Sequence, residues 1–335
     1  MSVHDVLIVG AGPAGLAAAI AAREHGLDYV VLEKGALVNS IFNFPAHMVF
    51  FTTPELLEIG GLPFVSPFDK PTRVEALRYY RRVVDTLQLR VELGVTVCGV
   101  ERRDQEGLFL VQTKVDERPS VRRARAVILA VGYYDHPNLL GVPGEDLPGV
   151  SHYYREPHPF YRKEVVIVGG GNSAAEAALD LYRAGAKVTL VHRNAAFNRS
   201  IKYWVLPDVE NRIKEGSIAA RMNSRVVEIR PGAVVVDHEG ILESLAADHV
   251  FLLTGYRTDA SLLERAGVEM DRGTWIPVHD PETYETNVPN LFLAGGVIAG
   301  TNTVPIFIEN GRFHGSKAME VIAARLKNPA AGLAI

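Results

Sequence analysis

The feature that most constrains this chain is an internal repeat of 30 residues. DVLIVGAGPAGLAAAIAAREHGLDYVVLEK begins at Asp5 and EVVIVGGGNSAAEAALDLYRAGAKVTLVHR begins at Glu164, so the two align without a gap at an offset of 159. Each copy reads as an apolar strand, a glycine-rich turn, an alanine-rich helix and a second apolar strand. The repeat therefore predicts two β-α-β units of the Rossmann type.

The turn of each unit carries the residue types that the pyrophosphate of a dinucleotide requires. The first glycine allows a tight turn, the second lets the backbone approach the phosphates, and the third position must be small so that helix packs on strand. Each motif follows a predicted strand and opens a helix whose N–H groups face the phosphates, which disfavours a plain glycine turn. The residues predicted to bind at these turns are Gly10, Gly12, Pro13, Ala14 and Gly15 in the first unit, and Gly169, Gly171, Asn172 and Ser173 in the second.

The end of the second strand distinguishes the two predicted sites. The first unit ends in Glu33, followed by Lys34. An acidic residue there accepts hydrogen bonds from ribose hydroxyls and repels a 2′-phosphate. The second unit has His192 and Arg193 at the same places, so we predict NADPH there, with Arg193 clamping the 2′-phosphate. The nearby cations predicted to supplement Arg193 are Arg199 and Lys202, with solvated surface residues as the alternative.

Three further segments read as strands that end at glycines. They are AVILAVGYYDHP, HVFLLTGYRTD and NLFLAGGVIAGTN, which contain Gly132, Gly255 and Gly296. Between the two units, HPNLLGVPGEDLPG is rich in Pro and Gly, which is typical of an inter-domain linker. The chain is therefore predicted to form two domains, as its length also suggests.

Composition limits the partners and the compartment. Lys plus Arg number 35 and Asp plus Glu number 39, so the formal charge of −4 gives no support for nucleic-acid binding. No apolar run is long enough to span a membrane and the N-terminus lacks leader features, so we expect a cytoplasmic protein without a membrane partner. The histidines show no metal-ligand spacing, so no metal is predicted. Cys98 is the single cysteine, which excludes an internal dithiol, and its strand-like surroundings predict a buried thiol.

The whole chain resembles two-dinucleotide-binding flavoprotein reductases of the thioredoxin reductase type. Four stretches resemble the bacillithiol-disulfide reductase (bacilliredoxin reductase-like) family more closely: EKGALVNSIFNFPAHMVFFTTPELLEIG, VGYYDHPNLLGVPGEDLP, SIKYWVLPDVE and IFIENGRFHG. The resemblance implies an α/β fold with two Rossmann-like domains of the three-layer ββα type. It implies FAD in a discontinuous domain at 1–140 and 256–335, NADPH in an inserted domain at 141–255, and a homodimer.

The resemblance also implies a wider FAD site. The predicted FAD residues outside the first β-α-β unit are Ser40, Asn43, His47, Thr52, Val97, Ala130, Gly132, Gly296, Val297 and Asn302, and Gly255 joins the predicted NADPH set. Two residues depart from family patterns. Ala14 stands where members often carry a cysteine considered as a redox group, and Gly296 stands where the broader family commonly has an aspartate for a flavin ribityl hydroxyl. Asn302 or backbone N–H groups are expected to take the second task.

The segment at 39–53 mixes aromatic and polar residues, which suits a flavin pocket, with an apolar loop under the sheet as the alternative. His47 is its catalytic candidate, because an imidazole near flavin could donate a proton to a leaving thiolate; a structural histidine is the alternative. IENGRFHG is predicted to begin a helix whose N-terminus faces the flavin, with helix capping or a dimer contact as alternatives for its polar side chains.

The implied chemistry is hydride transfer from NADPH to FAD, after the inserted domain rotates about the linker, and then electron transfer to an external acceptor. The resemblance makes that acceptor a small-molecule disulfide of the bacillithiol disulfide type, or a small redox protein. One alternative is a ferredoxin–NADP reductase that docks its partner through a basic patch at Arg78, Arg81 and Arg82. The others are a flavin-dependent monooxygenase and a redox-sensing binding protein.

Overall fold

The computed structural model describes residues 2–303 and 305–327. These residues form two compact units. Among these residues, the first unit comprises 2–43, 48–136 and 256–327 without 304, and the second comprises Phe44–His47 and Pro137–Gly255. The α/β class with Rossmann-type sheets, predicted from the repeat, is confirmed. Residues 328–335, which the sequence assigns to the FAD domain, lie outside the described residues.

The first unit is built on a sheet that joins a parallel part to an antiparallel meander. Its elements before the linker are β1 (Val3–Val9), α1 (Pro13–Glu24), β2 (Tyr29–Glu33), α2 (Asn39–Asn43), a 3₁₀ turn at Pro54–Leu57, α3 (Arg73–Leu87), β3 (Val91–Leu93), β4 (Val95–Arg103), β5 (Leu108–Val115) and β6 (Arg118–Leu129). The order is β3-β2-β1-β6-β5-β4. The second half of β6 runs parallel to β1, whereas its first half is antiparallel to β5. The first glycine turn follows β1, at the carboxyl edge where parallel sheets bind ligands.

The second unit has a parallel sheet and a separate antiparallel one. Its elements are β7 (Val150–Ser151), a 3₁₀ turn at His158–Phe160, β8 (Glu164–Val168), α4 (Asn172–Arg183), β9 (Lys187–Val191), α5 (Leu206–Lys214), β10 (Ala219–Arg221), β11 (Ser224–Arg230), β12 (Ala233–His238), β13 (Ile241–Ala246) and β14 (His249–Leu252). The parallel strands are ordered β10-β9-β8-β14-β7, and β11, β12 and β13 form the antiparallel sheet. The second glycine turn follows β8, so it occupies the same place in its sheet as the first turn.

The chain then returns to the first unit. The returning elements are α6 (Ala260–Arg265), β15 (Leu291–Leu293), a 3₁₀ turn at Gly295–Ala299, α7 (Ile308–Gly311) and α8 (His314–Lys327). β15 pairs in parallel with the end of β6, so it extends the carboxyl edge of the first sheet, where the first glycine turn also lies. The three strands predicted to end at glycines are thus β6, β14 and β15.

Small residues decide how closely the helices of the first unit approach. A Cβ on Gly315 of α8 would lie 2.5 Å from the Cβ of Ala18 of α1, so glycine is needed at this crossing. The sheet beneath supplies apolar side chains to the core, and Leu7 and Ile8 of β1 are completely buried. Burial of one such side chain contributes about 1.5–3 kcal/mol. The Ala- and Gly-rich composition of these helices therefore reflects close helix packing around the first turn.

Cys98 differs from the sequence expectation, because it is half-buried rather than buried. The pairing of β4 with β5 shifts register between Val97 and Gly99, so Cys98 lies at a β-bulge. Its thiol donates to the Thr96 carbonyl at 3.8 Å. Alternation in sequence indicates a strand, but it does not reveal a bulge that turns one side chain away from the core.

Within the described residues, no helix is long and apolar enough to cross a membrane. In the same part of the chain, no group of three or more His, Cys, Asp or Glu side chains is arranged to hold a metal ion.

Candidate functional site

The first glycine turn excludes side chains at two of its three glycines. Gly10 has φ of +104°, and a Cβ there would lie 2.4 Å from the Ala130 carbonyl oxygen. A Cβ on Gly15 would lie 2.0 Å from the Gly10 carbonyl oxygen. A Cβ on Gly12, in contrast, would meet no atom within 4 Å. The turn is therefore closed on its sheet side and open at the position where a pyrophosphate approaches the backbone.

The helix that follows this turn leaves its first N–H groups available. Gly12 is the N-cap of α1 and provides no side-chain cap, and the first helical turn contains no acidic residue. Pro13 occupies the first turn, where its missing N–H is tolerated. Ala14 packs toward a second glycine segment, since a Cβ on Gly295 would lie 2.7 Å from its Cβ. An uncapped helix start beside an open turn suits an anionic phosphate.

Glu33 lies at this same turn, with its carboxylate fixed by two backbone N–H groups. Ala11 N–H donates to Oε2 and Gly35 N–H donates to Oε1, both at 2.8 Å. The residue is only 6% exposed. A carboxylate offers about four acceptor positions, so both oxygens can still accept from ribose hydroxyls. Lys34 points elsewhere, because its Nζ pairs with Asp135 at 2.7 Å.

The second turn repeats the arrangement of the first. A Cβ on Gly169 would lie 2.5 Å from the Leu253 carbonyl oxygen, whereas a Cβ on Gly171 would meet nothing within 4 Å. Gly171 is the N-cap of α4 and provides no side-chain cap. The third position is Ala174, which is fully buried against the turn. This turn too is closed toward its sheet and open at the middle glycine.

The start of α4 is tied to the loop that follows β9. The Asn172 Oδ1 accepts the Lys202 N–H at 2.8 Å, and its Nδ2 donates to the Ser200 carbonyl at 3.3 Å. Ser173 is exposed beside it. The structure thus brings the residues after β9 to the second turn, as the repeat predicts for the ribose end of a nucleotide.

His192 covers the place that a carboxylate occupies in the first unit. A Cβ on Gly170 would lie 2.1 Å from the His192 Cε1, so the imidazole packs directly on the turn. Burial lowers the pKa of His192, and the charge of Arg193 lowers it further. Arg193 and Arg199 are both exposed. The positive charge at this edge therefore comes from the arginines, with a neutral imidazole beneath them.

Lys202 is placed differently from the two arginines. Its side chain is 5% exposed and its Nζ pairs with the Glu176 carboxylate at 2.7 Å. A buried charge is retained only when it is paired, and here Glu176 of α4 provides the partner. The structure brings Lys202 to the second turn, but with its charge already neutralised.

The remaining predicted FAD residues are spread over several segments of the first unit. Ser40 and Asn43 lie in α2, Thr52 is buried before the 3₁₀ turn, Val97 lies in β4, Ala130 and Gly132 follow β6, Gly296 and Val297 follow β15, and Asn302 is exposed beyond them. The segments after β6 and β15 contact each other, since a Cβ on Gly296 would lie 2.7 Å from the Tyr133 ring. In the second unit, the Gly255 carbonyl accepts the Asn138 N–H at 2.9 Å.

His47 belongs to the second unit, whereas the other predicted FAD residues belong to the first. Residues 44–47 cluster with the second unit, where Ala46 N–H donates to the Arg155 carbonyl at 2.7 Å. The His47 Nδ1 lies 3.7 Å from the Asp180 carboxylate, and its side chain is 69% exposed. The segment at 39–53 is therefore divided between the two units.

Two residues of the first unit were missed by the sequence reasoning. Tyr133 packs its ring on Gly296, and burial raises the pKa of its hydroxyl. Thr258 is buried, and its hydroxyl donates to the Val297 carbonyl at 3.0 Å. Tyr133 directly follows Gly132 in a segment already of interest, which is a usable signal. Nothing near Thr258 in the sequence indicates its contact.

Comparison with known proteins agrees with this geometry. The family model for pyridine nucleotide-disulphide oxidoreductases matches residues 7–295, which include both glycine turns. The chain belongs to this family. As a pyridine nucleotide-disulphide oxidoreductase it is an enzyme, as the sequence predicted.

Three known proteins are similar to this chain over almost its whole length. The bacilliredoxin reductase Bdr of Bacillus subtilis is 44% identical over 323 residues, covering 96% of this chain and 98% of its own. The solved structure named bacillithiol disulfide reductase Bdr (YpdA), from Bacillus cereus, matches with a TM-score of 0.94 and 41% identity, covering 97% of this chain and 100% of its own. A ferredoxin–NADP reductase of Ignicoccus hospitalis is 28% identical, and the match covers 95% of this chain and 98% of its own. The predicted resemblance to the bacillithiol-disulfide reductase family is confirmed.

Proposed function

We propose that this oxidoreductase uses NADPH to reduce a low-molecular-weight disulfide of the bacillithiol disulfide class, with FAD as its bound electron carrier. The observation that carries the proposal is the 44% identity to Bdr along 96% of the chain. The relative from Bacillus cereus is named for reduction of bacillithiol disulfide. In the balanced reaction, NADPH, one proton and one disulfide give NADP⁺ and two thiols.

FAD, when bound, accepts a hydride from NADPH and passes two electrons to a disulfide. The first unit fits the adenosine and pyrophosphate parts of this cofactor. The open space at Gly12 admits the phosphates, and the N–H groups at the start of α1 face them. The buried Glu33 carboxylate accepts the ribose hydroxyls and excludes a 2′-phosphate.

The second unit supports NADPH as the hydride source. The open position at Gly171 admits a second pyrophosphate. Arg193 and Arg199 are exposed at the ribose end, where His192 replaces the acidic residue that would repel a 2′-phosphate. In this proposal Lys202 orders the loop through Glu176, and the two arginines supply the charge that selects NADPH over NADH.

In this proposal the reactive disulfide belongs to the electron acceptor and not to the protein. The chain has Cys98 as its single cysteine, so it cannot form an internal dithiol pair. Cys98 also lies at a bulge in the antiparallel part of the first sheet, bonded to a main-chain carbonyl. The disulfide bond that breaks is therefore that of the substrate, and both electrons reach it without a protein disulfide as relay.

A ferredoxin partner is not favoured. The ferredoxin–NADP reductase relative is 28% identical, against 44% for Bdr over the same extent of the chain. Arg78, Arg81 and Arg82 are exposed on α3, as the ferredoxin alternative requires, but exposed helix charges are ordinary. We further infer a cytoplasmic homodimer. The dimer rests on the resemblance to the bacillithiol-disulfide reductase family, and light scattering of the purified protein tests it; a chain with a single cysteine and no internal disulfide is compatible with a reducing compartment.

Anaerobic turnover with product counting tests the proposal. The FAD-loaded protein is mixed with NADPH or NADH and with bacillithiol disulfide, and the released thiols are titrated against the nucleotide consumed. We expect two thiols per NADPH and much slower turnover with NADH. Turnover that requires ferredoxin or oxygen, with no thiol released, would show that the proposed substrate class is wrong.

A further inference from the structure

The glycine segment after β15 is held by a buried histidine that has no part in the proposed chemistry. His314 is the first residue of α8 and is 5% exposed. Its Nδ1 accepts the Gly295 N–H at 3.2 Å. A ring nitrogen that accepts a hydrogen bond carries no proton, so the neutral imidazole holds its proton on Nε2. The Gly295 N–H is buried away from solvent, so the His314 Nδ1 accepts the hydrogen bond that water would otherwise accept.

Gly295 in turn lies against the first nucleotide-binding turn. A Cβ on Gly295 would lie 2.7 Å from the Ala14 Cβ, at the start of α1. On its other side, a Cβ on Gly311 would lie 3.1 Å from the Gly295 Cα. Gly295 has φ of +72°, a conformation that favours glycine. A small movement of this residue would therefore displace either Ala14 or the neighbouring Gly296.

The imidazole is itself fixed by its surroundings. Its ring stacks on the Tyr284 ring, with 4.1 Å between the ring centroids. The Tyr284 ring also stacks on His279, with 6.1 Å between their centroids. Burial, together with the charges of His279 and Lys317, lowers the pKa of His314 to about 4. Lys317 lies over the Tyr284 ring and pairs with Glu282. His314 is thus an uncharged acceptor at neutral pH, with no freedom to turn away.

We infer that His314 is a positioning residue for the proposed FAD site, because its Nδ1 holds the Gly295–Gly296 segment against Ala14 at the start of α1. The inference rests on the proposed binding of FAD to the first unit. The inferred role depends on the Nδ1 atom as a hydrogen-bond acceptor and not on the volume of the ring. A side chain that places another acceptor near this position should preserve FAD affinity, and an aromatic ring without an acceptor should lower it.

Two substitutions separate these contributions. His314→Asn places an amide oxygen close to the position of Nδ1 and removes the stacked ring. His314→Phe keeps a ring against Tyr284 and leaves the buried Gly295 N–H without an acceptor. FAD affinity is measured by titrating each apoprotein with FAD and following its fluorescence, and thermal unfolding of each apoprotein is measured alongside.

We expect the Phe variant to bind FAD roughly tenfold more weakly, the factor that corresponds to about 1.4 kcal/mol, while the Asn variant stays within about threefold of the wild type. A ring that acts only by packing would give the reverse order, with Asn weaker than Phe, and would overturn the inference. Equal affinity of all three proteins would overturn it as well. A wild-type chain that binds no FAD would overturn the proposed function, and this inference with it.

Discussion

Replacing Gly12 with alanine should separate nucleotide binding from folding. Gly12 has φ of −72° and ψ of 173°, which any residue adopts, and an added Cβ would meet no atom within 4 Å. Alanine gains about 0.4–1 kcal/mol by restricting the unfolded chain and loses a similar amount as a poorer N-cap. We therefore expect the free energy of unfolding of the apoprotein to change by less than about 0.5 kcal/mol.

The same methyl group should weaken FAD binding, because it projects into the space where the phosphates approach the backbone. An extra methyl at a close-packed contact costs about 1–3 kcal/mol, which is roughly a 5- to 150-fold increase in the dissociation constant. Fluorescence titration of the apoprotein with FAD measures the affinity, and urea unfolding of the same apoprotein measures its stability.

Gly15→Ala is the matched control. Its Cβ would lie 2.0 Å from the Gly10 carbonyl oxygen, so it should destabilise the apoprotein itself by about 1–3 kcal/mol. If Gly12→Ala bound FAD as tightly as the wild type, the phosphates would not approach the backbone at Gly12. If Gly12→Ala destabilised the apoprotein as much as Gly15→Ala does, the open space at Gly12 would not exist in the folded chain.

Three further predictions concern the second site, the cysteine and the buried histidine. Arg193→Ala should raise KM for NADPH roughly tenfold or more and leave KM for NADH unchanged; Lys187→Ala, at the opposite end of β9, should change neither, and equal effects on both nucleotides would contradict the phosphate clamp. Cys98→Ser should leave disulfide turnover unchanged, because the thiol relays no electrons; a large loss of kcat would contradict this. Burial lowers the pKa of His314 from 6.5 to about 4, so the unfolded chain binds a proton between these values that the folded chain does not. The free energy of unfolding should therefore fall as pH drops from 6.5 to 4, by up to about 3 kcal/mol, and His314→Asn should lack that part of the slope in urea unfolding at each pH.

Periodic local patterns made much of the fold predictable. The repeat predicted an alanine-rich helix directly after each glycine-rich turn, and α1 (Pro13–Glu24) and α4 (Asn172–Arg183) occupy those two places. Glu33 was predicted at the first turn because strand length and turn geometry fix that position in every such unit. These features depend on neighbours within about 30 residues along the chain, so the sequence contains them directly.

Contacts between distant segments could not be predicted in this way. The charge of Lys202 suggested a phosphate ligand, but Glu176 on α4 pairs with it. The mix of aromatic and polar residues at 39–53 suggested a flavin pocket or an apolar loop under the sheet. It did not indicate that residues 44–47 would cluster with the second unit. His314 likewise gave no signal of its bond to Gly295, because that contact depends on how α8 packs beside β15.

The most direct test of the account follows the two half-reactions by anaerobic stopped-flow absorbance. One equivalent of NADPH is mixed with the FAD-loaded protein, and bacillithiol disulfide is then added in a second mixing step. We predict loss of the flavin absorbance in the first step and its full return in the second, in Cys98→Ser as well as in the wild type. Flavin that stays reduced with the disulfide and is reoxidised by ferredoxin or oxygen would contradict it.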